Sequence, residues 1–211
     1  MSAKTTKPEQ TLVSPSTILG IPAMPTTYAG VRFRSKLEAK WACVFDLLRW
    51  SWEYESLELD FYIPDFVLRF PRGLVLAEVK PASTATELLT FAPKVTGAGW
   101  PGEVLMLGAS LFLPTSEAVP SFGIYSQFED SPDGPALGAF DHALMHRCLG
   151  CGAFSFHHAG GDWRCAIAGC SDGNTLIDPL EPSELRAIWN EAGARVQCRA
   201  PSDNLPPGLV R

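Results

Sequence analysis

The sequence predicts an α/β protein: a mixed β-sheet flanked by helices, followed by a small cysteine-held module. Three observations carry this. Between about residues 35 and 125 the residue patterns run helix, three strands, helix, strand, an order that packs as a sheet covered by helices. Leu74 to Lys80 is apolar on both faces until its last three residues, as a central buried strand is. Two cysteine pairs, Cys148/Cys151 and Cys165/Cys170, come after the strands.

Each element has its local reason. Residues 1–26 scatter Pro8, Pro15, Pro22 and Pro25 among Ser and Thr and read as a flexible lead-in. Ser35-Lys36-Leu37-Glu38 matches a capping box, and Leu37, Trp41, Val44, Phe45 and Leu48 then form one apolar stripe, predicting a helix to about Trp50. Trp52–Leu59 and Phe61–Phe70 are strand candidates, Pro71-Arg72-Gly73 is a turn, and Thr84–Glu87 is a second capping box opening a short helix to about Lys94. Val104–Leu107 and Phe122–Tyr125 read as further strands, and Pro182–Ala192 as a helix. The expected division is a core over 27–130, a linker over 131–145 centred on Ser131–Pro135, a cysteine module over 146–172, and a helix and tail over 173–211.

Bulk properties narrow the class. The chain has 211 residues, 46% hydrophobic and 19% charged, as folded proteins do. Nothing approaches the run of apolar residues that a membrane span needs, and the polar start lacks a signal-peptide core. A cytoplasmic location is therefore expected, where clustered cysteines are more often metal ligands than disulfides. The net charge of −6 counts against a simple nucleic-acid binder. Yet Tyr28–Lys94 carries as many Lys and Arg as Asp and Glu, the acidic excess lying mostly in Glu117–Glu191. A basic strip, Arg32, Arg34, Lys36 and Lys40, can contact a phosphate backbone or be a solvated helix face.

The chemistry-bearing residues are Asp65, which sits at the end of one apolar run, and Glu78-Val79-Lys80, which ends the next. Side chains alternate along a strand, so Glu78 and Lys80 share a face, and a hairpin would bring Asp65 beside them. Two carboxylates and an ammonium can hold a divalent cation against a phosphate. Asp65 and Glu78 would be the ligands, with the Val79 carbonyl, and Lys80 would orient water or stabilise developing charge. The structural readings are a strand-end aspartate, a Glu78–Lys80 surface ion pair, and Glu38 as no more than the capping partner of Ser35.

Pro64-Asp65 with Glu78-Val79-Lys80 resembles the PD-(D/E)XK nuclease superfamily of restriction endonucleases, archaeal Holliday-junction resolvases and transposon-end nucleases. Tyr28–Ala42 looks like the first helix of a phage and bacterial branch, which places Glu38 at the position of a helix glutamate that joins the metal site. The resemblance covers about half the chain. It implies a restriction-endonuclease-like fold, with Mg2+- or Mn2+-dependent hydrolysis of DNA by Glu38, Asp65, Glu78 and Lys80. It leaves open a homodimer or larger nucleoprotein assembly. The alternative is a non-catalytic DNA- or protein-binding module on the same scaffold.

Cys148-x2-Cys151 and Cys165-x4-Cys170 supply four thiolates in two pairs, a set suited to tetrahedral Zn2+, and Gly152 lets the backbone curl beneath the first pair. Phe154–Arg164 reads as a hairpin turning at Gly160-Gly161-Asp162, and the whole resembles a zinc ribbon. The second gap is wider than usual, so His157 or His158 could replace Cys170; disulfides and unliganded thiols are the other readings. Cys43 and Cys198 stand outside the pattern.

Overall fold

The computed structural model describes residues 23–112, 121–131, 134–158, 165, 170 and 176–196. It opens with a hairpin, β1 (Thr26–Tyr28) and β2 (Val31–Phe33), turned by Ala29 and Gly30 at φ 48° and 81°. Two consecutive positive φ angles match the right-handed twist of the flanking strands. Next is α1 (Lys36–Leu47), where Ser35 Oγ accepts from the Glu38 N–H at 3.1 Å, the expected cap. The helix stops three residues before the expected end. Arg49 takes φ 58°, its N–H reaches Asp46 O at 3.0 Å and the Trp50 N–H reaches Phe45 O at 2.8 Å. This is a Schellman stop with arginine where glycine is usual, so no sequence signal marked it.

The strands β3 (Ser51–Tyr54), β4 (Phe66–Phe70) and β5 (Gly73–Val79) form an antiparallel meander, with Gly73 at φ 147° in the expected turn. The second capping box is present, the Glu87 N–H donating to Thr84 Oγ1 at 3.2 Å and the Ser83 N–H to Glu87 Oε2 at 2.6 Å. Its helix is split into α2 (Ala85–Leu89) and α3 (Ala92–Thr96), because Pro93 has no N–H to continue a ladder. These helices cross from β5 to β6 (Glu103–Phe112), which pairs parallel with β5. Then come β7 (Ser121–Ser126), the hairpin β8 (Phe128–Ser131) and β9 (Gly134–Leu137), β10 (Asp141–Cys148), β11 (Phe154–His158), β12 (Ile177–Pro179) and α4 (Pro182–Arg195).

The main sheet runs β11-β10-β7-β6-β5-β4-β3, with β12 also pairing with β10. Alternation splits the core into two layers. Val75, Ala77, Val79, Leu105 and Leu107 face a cluster containing Phe33, Trp41, Phe45, Phe66, Phe122 and Phe156, to which α1 and α4 contribute. Leu76, Val104 and Met106 face the other cluster, with Tyr62, Val67, Leu88 and Val95. Each fully buried large side chain contributes roughly 1.5–3 kcal/mol. The Trp41 indole also donates to Gly108 O at 2.9 Å, and the Trp50 indole to Phe154 O at 3.0 Å.

The expected linker is corrected here. Of residues 131–145, the end of β8 and all of β9 belong to a separate two-stranded sheet, and most of β10 lies in the main sheet, antiparallel to β7. Alternating residues Ala143 and Met145 sit in the same core as Trp41, which is why the segment is a strand. The cysteine-bearing segment therefore extends the main sheet through β11 and β12 rather than standing apart from it. The expected turn at Gly160–Asp162 lies outside the described residues, as does Cys198. Among the described residues no helix is long and apolar enough to cross a membrane.

Candidate functional site

Antiparallel register pairs Phe66 with Ala77, so Asp65 at the start of β4 meets Glu78 at the end of β5. Both are almost wholly buried, as the fold of two adjacent strands around them requires. The Val79 N–H donates to Asp65 Oδ2 at 2.7 Å, and the Asp65 N–H lies 3.4 Å from Glu78 Oε2. Lys80 Nζ donates to Glu78 Oε1, lies 3.2 Å from Val79 O, and stands 3.8 Å from Asp65 Oδ2. Val79 itself packs in the α1-side core, so Glu78 and Lys80 project to the other face, as alternation predicts.

Electrostatics follow from this crowding. Burial, then the neighbouring Glu78 carboxylate, pushes the Asp65 carboxyl up to about 6, against the opposing pull of Lys80 and the Val79 N–H. Two buried carboxylates side by side favour a proton or a cation between them.

Glu38 sits at the same end of the sheet, but comes from α1. Its Oε2 accepts from the Tyr54 hydroxyl at 2.5 Å and from the Arg34 N–H at 3.1 Å; its Oε1 accepts from Ser35 Oγ at 2.8 Å. The capping role of Glu38 is therefore real, and Tyr54 binds it as well. Burial and that hydrogen bond push the Tyr54 hydroxyl up to about 12.

The basic strip divides. Arg32 and Lys36 are exposed. Arg34 turns its guanidinium onto Asp65 Oδ1 at 2.8 Å and Glu55 Oε1 at 2.6 Å, while its side chain stays 62% exposed. Burial works to lower its affinity for its proton, but Tyr54, Asp65 and Glu55 together raise it. Lys40 lies 3.3 Å above the Trp189 ring of α4, and burial, then Lys36, pushes its ammonium down to about 8. Arg34 and Tyr54 were not legible as site partners, since the contact depends on β3 folding back over α1. Tyr62 was missed too: its hydroxyl donates to Glu78 Oε2 at 2.7 Å. Its place three residues before Asp65 was the available signal.

At the other end, the four cysteine sulfurs Cys148, Cys151, Cys165 and Cys170 all lie within 4.8 Å of one another and could hold a metal such as Zn2+. Cys148 and Cys170 sulfurs are 3.3 Å apart, Cys151 and Cys165 sulfurs 4.0 Å. Tetrahedral zinc with bonds of about 2.3 Å needs sulfurs roughly 3.8 Å apart, between those two values. Gly152, at φ 70°, returns its N–H to Cys148 O at 2.9 Å, which curls the backbone under the first pair. Burial works to raise the Cys148 thiol, but the Cys151 N–H, the Cys170 thiol and the Gly150 N–H bring it down to about 6, towards the thiolate a metal takes. The wider second gap does not keep Cys170 out. His157 turns to His146 instead, the two Nδ1 atoms lying 3.0 Å apart; the His158 side chain lies outside the described residues. Cys43 is packed in the core.

No family model matches the chain, and no curated protein or solved structure matches it. Among the described residues, the cysteines are the group of three or more Cys, His, Asp or Glu whose ligand atoms all fall within 4.8 Å. Asp65 and Glu78 share Lys80, and Glu38 is held by Tyr54 and Ser35.

Proposed function

We propose that this chain is a metal-dependent endonuclease of the PD-(D/E)XK kind, acting on DNA. The observation that carries the reading is the pair of buried carboxylates, Asp65 and Glu78, joined by Lys80 where β4 begins and β5 ends. The residues fit a hard divalent cation, Mg2+ or Mn2+: they offer buried oxygen donors, and burial with the neighbouring Glu78 charge pushes the Asp65 carboxyl up even with Lys80 and Arg34 beside it. Such a cation, when bound, neutralises a phosphodiester and lowers the pKa of water.

The protein's own groups have separate parts. Asp65 and Glu78 hold the cation, and the Val79 N–H fixes the Asp65 carboxylate. Lys80 orients the attacking water or meets charge developing on the phosphate. Arg34, exposed at the rim, would exchange Asp65 for a backbone phosphate were a cation held by the carboxylates. Glu38, which Tyr54 and Ser35 hold at the same end of the sheet, would be the third acidic group. The cysteine corner would bind structural zinc as a ribbon-like element bracing β10 and β12.

The test is a cleavage panel of single-stranded, duplex, flapped and four-way DNA with magnesium, run on wild type, Asp65→Ala and Lys80→Ala. Cutting by wild type alone, with both variants folded, supports the reading; equal residual cutting by all three rejects it. A second reading, a non-catalytic DNA- or protein-binding module, has one observation behind it. Arg34 already supplies a positive charge to Asp65. It expects the wild type to bind DNA and cut none of the panel.

A further inference from the structure

The loop that leads into Asp65 carries an unusual side chain. Leu59 and Tyr62 bridge as a tight hairpin, each N–H meeting the other's carbonyl, at 2.8 and 3.1 Å, with Asp60 and Phe61 at its tip. Phe61 takes φ 60°, a conformation turns usually give to glycine or asparagine. Its ring is wholly exposed, at 105% of the reference value, whereas its neighbour Tyr62 is 3% exposed and points inward to Glu78. The tight turn accounts for the positive φ, but not for a large ring held in water at a position that glycine or asparagine would fill.

The surroundings say which ligand. Tyr62 ties the hairpin to the acidic pair, so Phe61 is next in sequence to a residue that touches the site. Lys94 Nζ lies 5.4 Å from the Tyr62 ring centroid, and its side chain is exposed, placing a cation on the hairpin's flank. Ile63, 46% exposed, is the other apolar side chain of this loop in solvent. One ring and one aliphatic side chain make a small apolar surface rather than an extended patch. They match the face of one nucleobase, with a lysine for its phosphate.

We propose that Phe61 is a stacking platform for an unpaired base of a strand whose backbone lies at the Asp65–Glu78 carboxylates. The choice of nucleic acid rests on the nuclease reading, and the inference adds a substrate class to it. The strand must present an unstacked base beside the scissile phosphate, as a single strand, flap or junction does and a continuous duplex does not.

Binding to a flapped and a fully duplex oligonucleotide is measured with calcium in place of magnesium, with a fluorescent adenine analogue placed in the flap. Wild type should quench the analogue and prefer the flap. Phe61→Gly, which removes the ring and suits the positive φ, should fold normally, lose the quench and bind the flap roughly tenfold more weakly. Phe61→Trp should restore both. Unchanged flap affinity and quench in Phe61→Gly overturns the proposal. So does a loss of self-association in that variant by sedimentation without any change in DNA binding, which would make Phe61 a contact between chains. Quenching without cutting rejects the nuclease and keeps the stacking role; cutting with normal binding by Phe61→Gly does the reverse. If the wild type binds no DNA, both fall.

Discussion

The Tyr62 hydroxyl donates to Glu78 Oε2 at 2.7 Å, and both side chains are almost closed to water. The contact joins the loop before β4 to the last residues of β5 and fixes the orientation of one carboxylate. Burial, then the Glu78 charge, keeps this phenol protonated well above its ordinary pKa. It is therefore a donor at any working pH.

Tyr62→Phe removes that donor and little else. A hydrogen bond to a charged group contributes about 1.5–3 kcal/mol, so the melting temperature should drop by several degrees. Glu78 would also be less well aimed, and any magnesium-dependent rise in melting temperature should shrink. A variant that melts and responds to magnesium like the wild type would show the contact to be inconsequential.

Asp65 gives the protein a pH dependence of definite sign. Its folded carboxyl titrates near 6, above the ordinary value of about 3.9 in an unfolded chain. Between those values the folded state binds more protons than the unfolded state, so this group's contribution to stability falls as pH rises from about 4 to about 6. Without added magnesium, Asp65→Asn should melt higher than wild type at pH 7, and the gap should close towards pH 4. Parallel melting profiles for the two proteins would contradict this, as would a magnesium response that survives in Asp65→Asn.

The cysteine corner should depend on its metal. Assay of the purified chain should find about one zinc, and a strong chelator should release it and lower the melting temperature, since binding free energy at such sites is folding free energy. Cys148→Ser, at the buried end of β10, should mimic chelation. Metal-free protein with an unaltered melting temperature would refute the assignment.

Ser35 and Glu38 separate a cap from a catalyst. Ser35→Ala loses the acceptor for the Glu38 N–H and should cost about 1 kcal/mol, with cutting retained within a few fold. Glu38→Gln should slow cutting at least tenfold, because the third acidic group is gone. Retained cutting by Glu38→Gln would leave this side chain only its role at the helix start.

Much of this arrangement could be read from residue order. Ser35 and Thr84 marked both helix starts, because a hydroxyl three residues before an acid satisfies local N–H groups whatever the rest of the chain does. The strand alternation placed Glu78 and Lys80 on one face, and the β4–β5 turn brought Asp65 to them. What escaped were long-range or backbone effects. The Arg49 stop has no glycine to announce it, and Tyr54 reaches Glu38 only once β3 has folded beside α1. Ser131–Pro135 carries every mark of a linker, yet a turn and a linker share the same composition; only the core around Ala143 and Met145 decides between them.

That return of the chain into the sheet bears on how the protein can be dissected. A fragment ending at Ser131 would keep Glu38, Asp65 and Glu78, yet it would bare the hydrogen-bonding groups of β7 along one side. It would also strip α4 from Trp41 and uncover Phe122, which packs on Phe156. An open sheet margin beside a naked aromatic face is a template for clumping, so the acidic half is not a detachable unit.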